Sequence, residues 1–207
     1  MAASPNRWIL FGDSIQSEVF GTVAGTNAPA TALTASQIPG LANVVLQNIS
    51  SPGLRMTDGG DPGFGAFSNK GAIGLVSGFF GAFGLIITLG TNDWANPPTT
   101  GGEFTTDYRG VIDYAKSLGM VVVCVSPLWR FDEGAPIAHA DATYWLANFR
   151  TTIQAIAQQE GVYFVDGTLA PCTSHPELYA DGIHLNQDGH AQFAPWLVAQ
   201  IRALQLW

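Results

Sequence analysis

Ser14, Asp181 and His184 stand in an order that supplies a nucleophile, an orienting carboxylate and a base. These are the three roles that hydroxyl-based acyl transfer needs at neutral pH. A serine hydroxyl is too weakly acidic to attack a carbonyl unaided, so an imidazole must take its proton and later return one to the departing group. Each residue also has a plainer reading. Ser14 follows Gly12-Asp13 and fits a helix cap, Asp181-Gly182 fits an ordinary turn, and His184 fits a surface histidine. His139, His175, His184 and His190 show no ligand spacing, so the sequence calls for no metal and no cofactor.

Such groups react only if rigid elements bring them together. Short apolar runs at residues 8–11, 44–46, 85–89, 120–125 and 163–165 are bounded by Gly, Pro, Asn or Asp, as buried parallel strands are. Between them, residues 105–118 place Tyr108, Val111, Ile112, Ala115 and Leu118 on one helical face, with Gly119 as a stop. Residues 142–159 repeat the pattern, and 187–206 carry a third apolar face in which Pro195 predicts a kink or the true start of the helix. Strands alternating with helices predict a three-layer α/β/α fold around a central parallel sheet of about five strands, all within one domain spanning residues 1–207. Ligands collect at the carboxyl ends of such strands. Gly12-Asp13-Ser14, Gly90-Thr91-Asn92-Asp93 and Ser126-Pro127-Leu128-Trp129 are therefore expected on one rim, and the Gly-rich and Pro-rich span 52–65 on a long surface loop.

Composition narrows the partners. The formal charge is −8, with 8 Lys and Arg against 16 Asp and Glu, which argues against nucleic acid and against an anionic membrane surface. Residues 71–92 carry no charge and are long enough to span a bilayer, but glycines at 71, 74, 78, 81, 84 and 90 point instead to an apolar helix or loop leading into a core strand. Residues 1–7 lack the basic start of a signal peptide, which leaves a cytoplasmic protein and a mature secreted form both open. Of the two cysteines, Cys124 sits in an apolar run and is read as a buried free thiol rather than half of a disulfide with Cys172. A monomer is the default expectation.

Four short blocks, in order and spread over nearly the whole chain, resemble the SGNH hydrolases, also called GDSL-type esterases and lipases. The first is Phe11-Gly12-Asp13-Ser14, with Ile15 where many members carry leucine. The second is Asn48-Ile49-Ser50-Ser51-Pro52-Gly53, which departs from the commonest pattern because Ser50 stands where a glycine often occurs. Gly90-Thr91-Asn92-Asp93 and Asp181-Gly182-Ile183-His184-Leu185-Asn186 complete the set. The resemblance implies a flavodoxin-like SGNH fold with Ser14 as nucleophile, His184 as base and Asp181 as its support. It also implies an oxyanion hole made by the N–H groups of Ser14 and Gly53 and the side-chain amide of Asn92.

The activity so implied is hydrolysis of short-chain carboxylic esters, carbohydrate O-acetyl esters among them, through an acyl-serine. An acyltransferase or thioesterase using the same residues, and a catalytically silent carbohydrate-binding module, are the alternatives. Small-molecule or carbohydrate esters are then the expected substrates. Short acyl groups are favoured because no amphipathic lid is visible. Trp94, Trp129 and Phe64, with Phe67 and Phe131, fall on the expected rim loops, where they either line a substrate cleft or pack the loops down. Asp13 and Asp93 read as turn or network residues, and His190 as structural.

Overall fold

The computed structural model describes residues 6–16, 44–60, 63 and 65–206. Its centre is a parallel sheet of five strands in the order β2-β1-β3-β4-β7. The strands are β1 (Asn6–Gly12), β2 (Val44–Asn48), β3 (Gly84–Thr88), β4 (Val121–Val125) and β7 (Tyr163–Val165). A short antiparallel ribbon, β5 (Ile137–Ala138) with β6 (Thr143–Tyr144), lies outside that sheet. It occupies part of the span expected to be helical. The helices are α1 (Gly71–Phe80), α2 (Thr91–Trp94), α3 (Gly101–Ser117), α4 (Leu146–Glu160) and α5 (Gln187–Ala203).

Alternation along the strands divides the core. Ile9, Phe11, Leu85, Ile87, Val122 and Cys124 pack with α3 and α4 through Phe104, Tyr108, Val111, Phe149, Ile153 and Ile156. The residues between them, Trp8, Leu10, Ile86, Val123 and Val125, pack on the other side with Phe193, Leu197 and Ile201 of α5. A sheet covered on both faces is what continuous apolar strands require. Cys124 and Cys172 fall in these opposite clusters, and both are buried free thiols.

Local signals explain where the helices begin and end. Thr100 accepts the N–H of Glu103 at 3.1 Å, so α3 starts before the apolar periodicity does. Asn186 caps α5 by accepting the N–H of Gly189 at 3.0 Å. Pro195 lies inside α5 and does not mark its start, because that cap already fixes the first turn and the helix runs on past the proline. Glycine-rich 71–80 is helical and closes at Gly81, whose φ of 64° supplies the left-handed stop. None of the helices among the described residues is long and apolar enough to cross a membrane.

The span expected as a surface loop is corrected in part. Leu54, Arg55, Met56 and Thr57 are buried, and Asp93 on α2 takes up the backbone N–H groups of Met56 and Thr57.

Register places Trp8 opposite Gly84, and a Cβ there would strike the indole ring, lying 2.7 Å from Cη2 and closer still to Cζ3 and Cε3. Gly84→Ala is therefore expected to cost about 1–3 kcal/mol by overpacking, seen as a lower urea midpoint with an unchanged m-value. A midpoint equal to wild type would show that Trp8 can yield.

Candidate active site

The candidate groups stand on loops that leave the carboxyl ends of the sheet. After β1, Gln16 N–H donates to Asp13 O at 3.3 Å, and Ile15 N–H donates to Asp13 Oδ1 at 3.0 Å. This turn places Ser14, which is 5% exposed, just past the strand. Gly12 must lack a side chain: a Cβ would collide with Thr88 Oγ1 and lie 2.8 Å from Gln16 Oε1 and 3.1 Å from Ser50 Oγ.

The loop after β2 is tied straight to this turn, with Ser51 N–H donating to Gly12 O at 3.1 Å. Leu54 N–H closes onto Ser51 O at 3.1 Å around Pro52 and Gly53, and Gly53 has φ of 72°. Proline followed by a positive-φ glycine is the signature of a type II turn. On α2, Asn92 donates one Nδ2–H to Leu54 O at 3.1 Å, which leaves its second N–H for another acceptor. Its neighbour Asp93 holds the same loop with both carboxylate oxygens. It accepts from Met56 N at 2.8 Å, Thr57 N at 2.9 Å and Thr57 Oγ1 at 3.1 Å. The network reading of Asp93 thus has a definite object, the backbone that follows Gly53.

Beyond β7, a tight loop carries Asp181 and His184. Ala180 N–H donates to His184 O at 2.8 Å, and Tyr179 bridges Leu185 below it. Asp181 Oδ1 accepts the backbone N–H groups of Ile183 at 2.9 Å and His184 at 2.8 Å. Its Oδ2 lies 2.6 Å from His184 Nδ1, and His184 Nε2 lies 2.9 Å from Ser14 Oγ. Partial burial alone would raise the Asp181 carboxyl, but the donors from His184 and Ile183 outweigh it and hold the group down to about 2. Asp181 is therefore a carboxylate throughout the neutral range. Ser14, His184 and Asp181, far apart in sequence, form one hydrogen-bonded line. Such a line can move a proton off a hydroxyl and hold the resulting imidazolium.

The expected aromatic lining divides three ways. Trp94 is 1% exposed, its indole N–H donates to Tyr144 O at 3.0 Å, and Arg130 stacks 5.0 Å above its ring. It is a core residue, and the expectation that it lines a cleft is corrected: α2 turns it inward, where its apolar area is buried and its one polar atom is satisfied. Trp129 is partly buried between Tyr179 and Phe131, with ring centroids 5.3 Å and 6.3 Å away. Phe64 lies outside the described residues. Phe67 packs against Gly110 of α3 and beneath Lys70. His190 is 2% exposed, and burial, with the nearby His184, lowers it to about 4, so it stays neutral as a core residue. Among the described residues no group of His, Cys, Asp and Glu is arranged to hold a metal.

Residues 10–192 match the model of the GDSL-like lipase/acylhydrolase family. The chain belongs to that family. Its structure is similar to that of the psychrotrophic esterase EstA from Pseudoalteromonas sp., with a TM-score of 0.75 and 11% identity over 97% of this chain and 98% of that one. It is also similar to an acetyl xylan esterase, with a TM-score of 0.69 and 16% identity over 94% and 99% of the two chains. A salicylyl-acyltransferase from a tetracycline biosynthetic pathway gives a TM-score of 0.69 and 21% identity, covering 99% of this chain and 56% of that one. At these identities the likeness is one of fold. No match to a curated protein was found.

Sequence alone could not reveal the bracing of the loop after β4. Arg150 on α4 donates to Pro127 O at 2.9 Å, Leu128 O at 2.6 Å and Glu133 Oε2 at 2.5 Å. Arg130 grips Asp132 at 2.8 and 2.7 Å. No motif announces these residues. The one signal is an arginine inside an otherwise ordinary helix, and its partners become visible only in three dimensions.

Two buried carboxyls lie under the site. Burial, helped by the charge of Asp93, raises Asp13 to about 7 against the pull of the Ile15 N–H and Arg130. Its Oδ2 has no hydrogen-bond partner among the described residues. Burial raises Asp93 to about 6, although Met56 and Thr57 donate to it. In an unfolded chain an aspartate titrates near ~3.9. The folded state thus binds the Asp13 proton more tightly. The stability from that proton is fully present below ~4 and is lost as pH rises through about 7. Asp13→Asn, which carries no charge at any pH, should melt a few degrees above wild type at about pH 8, with the gap closing towards about pH 4. A gap that does not change with pH would mean that Asp13 titrates normally.

Proposed function

We propose that this chain is a serine esterase that hydrolyses short-chain carboxylic esters, carbohydrate O-acetyl esters included, through an acyl-serine intermediate. The observation that carries the proposal is the line from Ser14 Oγ through His184 to Asp181, at 2.9 and 2.6 Å. In this reading Ser14 Oγ bonds to the ester carbonyl carbon as its proton passes to His184 Nε2. Asp181, already ionised, keeps Nδ1–H in place and offsets the charge on the ring. The carbonyl oxygen becomes an oxyanion that accepts from Ser14 N–H, Gly53 N–H and the second N–H of Asn92. Collapse breaks the bond to the alcohol oxygen, which takes the proton from His184. Water then repeats the sequence on the acyl-serine and releases the acid. Every proton is returned, so the cycle needs no cofactor.

Ser14→Ala should fold normally, lose turnover on p-nitrophenyl acetate and butyrate by about 10⁴-fold or more per mole of folded protein, and no longer be labelled by a serine-directed phosphonate. Wild-type hydrolysis by the folded variant would falsify the assignment. In the same assay, soluble long-chain esters should have lower kcat/KM than butyrate, since extra methylenes have little apolar surface to meet.

Asn92 separates a catalytic from a structural role. Its amide should bind the oxygen more strongly when that oxygen carries full charge, so Asn92→Ala should lower kcat by about 10²- to 10³-fold with KM changed far less. The hydrogen bond to Leu54 O supplies the alternative, in which the amide only shapes the loop. A destabilised Asn92→Ala protein whose titrated sites turn over at the native rate would remove Asn92 from the mechanism.

A further inference from the structure

The carboxyl-end loops follow the strand order, and this gives the site two sides. Across the sheet the order runs β2, β1, β3, β4, β7. The matching loops carry Gly53, Ser14, Asn92, Phe131 and the Asp181 to His184 turn. On the reading proposed above, the oxyanion donors belong to the β1, β2 and β3 loops, and the proton donor to the leaving alcohol belongs to the β7 loop. The loop after β4 also touches the proton-donating turn. Phe131 N–H donates to Gly182 O at 2.9 Å, between Asp181 and His184. Its side chain lies against Gly182, where a Cβ would sit 3.0 Å from Phe131 Cβ and 3.6 Å from the ring at Cγ.

Phe131 is nevertheless 70% exposed. An exposed phenylalanine alone needs no explanation. This one is held by unusual means. Arg150 and Arg130 brace residues 127–133, and the Arg130 side chain is only 6% exposed. Burying a guanidinium carries a desolvation cost that ion pairing seldom repays as stability. What these contacts provide is position. They fix an apolar ring, edge-on to Trp129 at 6.3 Å and 89°, against the turn that delivers the proton.

We propose that Phe131 determines specificity on the alcohol side of the site by stacking on a flat apolar face of the leaving group, whether an aryl ring or the C–H face of a pyranose. This rests on the esterase reading and extends it from the acyl group to the alcohol. A fixed aromatic ring loses little conformational freedom on binding, so its contact area is available at low entropic cost.

The test keeps the acyl group constant and varies the alcohol. Ethyl, phenyl and 2-naphthyl acetates and an O-acetylated methyl pyranoside are compared for wild type, Phe131→Ala and Phe131→Trp, with sites counted by phosphonate titration. Phe131→Ala should lower kcat/KM roughly three- to tenfold for esters with a flat-faced alcohol and leave ethyl acetate within about twofold, while Phe131→Trp restores the loss. Loss confined to the aryl esters, or to the pyranoside, identifies which face is read. Deacylation, followed after the burst, should be unchanged because the alcohol has already left. An equal loss on ethyl acetate, or no loss on any flat-faced ester, overturns the proposal. Retained turnover by Ser14→Ala would instead overturn the esterase reading, so the two failures are distinguishable.

Discussion

β1, the strand that leads into Ser14, takes parallel partners on both sides, β2 through Leu10↔Asn48 and β3 through Gly12↔Thr88. The position of Ser14 is inherited from that double pairing. Because three strands end together, the turns that follow them meet. Gly12 allows the meeting: any side chain on it would occupy the space that Thr88, Gln16 and Ser50 fill. The order of strands then reverses direction between β1 and β3, which is where open parallel sheets bind their ligands.

Charge in this molecule is used for geometry more than for stability. Asp93 is fully buried and satisfied by three donors from one short stretch, so it acts as a clamp on the turn around Gly53. Arg150 does the same for the loop after β4. Isolated apolar packing could stabilise either region at less desolvation cost, but it could not fix a backbone N–H or a ring at one place. The only charged group of the Ser14 line that is widely exposed is Asp181, whose side chain is 53% exposed. Backbone donors, rather than burial, keep it ionised.

Much of the architecture was legible because buried parallel strands are nearly continuous apolar runs closed by Gly, Asn or Pro. The strands, the facing pattern of α3 and α4, and the four blocks all carry local signals of that kind. Features decided by tertiary contact were not legible. Residues 71–80 read equally as helix or loop, since glycine lowers helix propensity and the packing of Ile73 offsets that only in the fold. The ribbon at Ile137–Ala138 and Thr143–Tyr144 is too short to show a period. Leu54 to Thr57 read as surface because the acceptor for the Met56 and Thr57 N–H groups is Asp93, distant in sequence. Trp94 was misplaced for the converse reason: a rim position does not say which way an indole turns. Of the candidate site, Ser14, Asp181 and His184 were marked by motif, whereas the approach of Phe131 to Gly182 joins two loops that no local pattern connects.

Asp181 and His184 share one small turn, closed by Ala180 N–H on His184 O and by the Tyr179 to Leu185 bridge. The Ser14 contact and the Phe131 N–H tie that turn to neighbouring loops. Small units with exposed hydrogen bonds open at lower free energy than a buried sheet does. Asp181 and His184 would then leave and return as a pair, with the five strands still paired beneath them. Heat or denaturant is then expected to open the Ser14–His184 contact before amides in β1 and β3 begin to exchange.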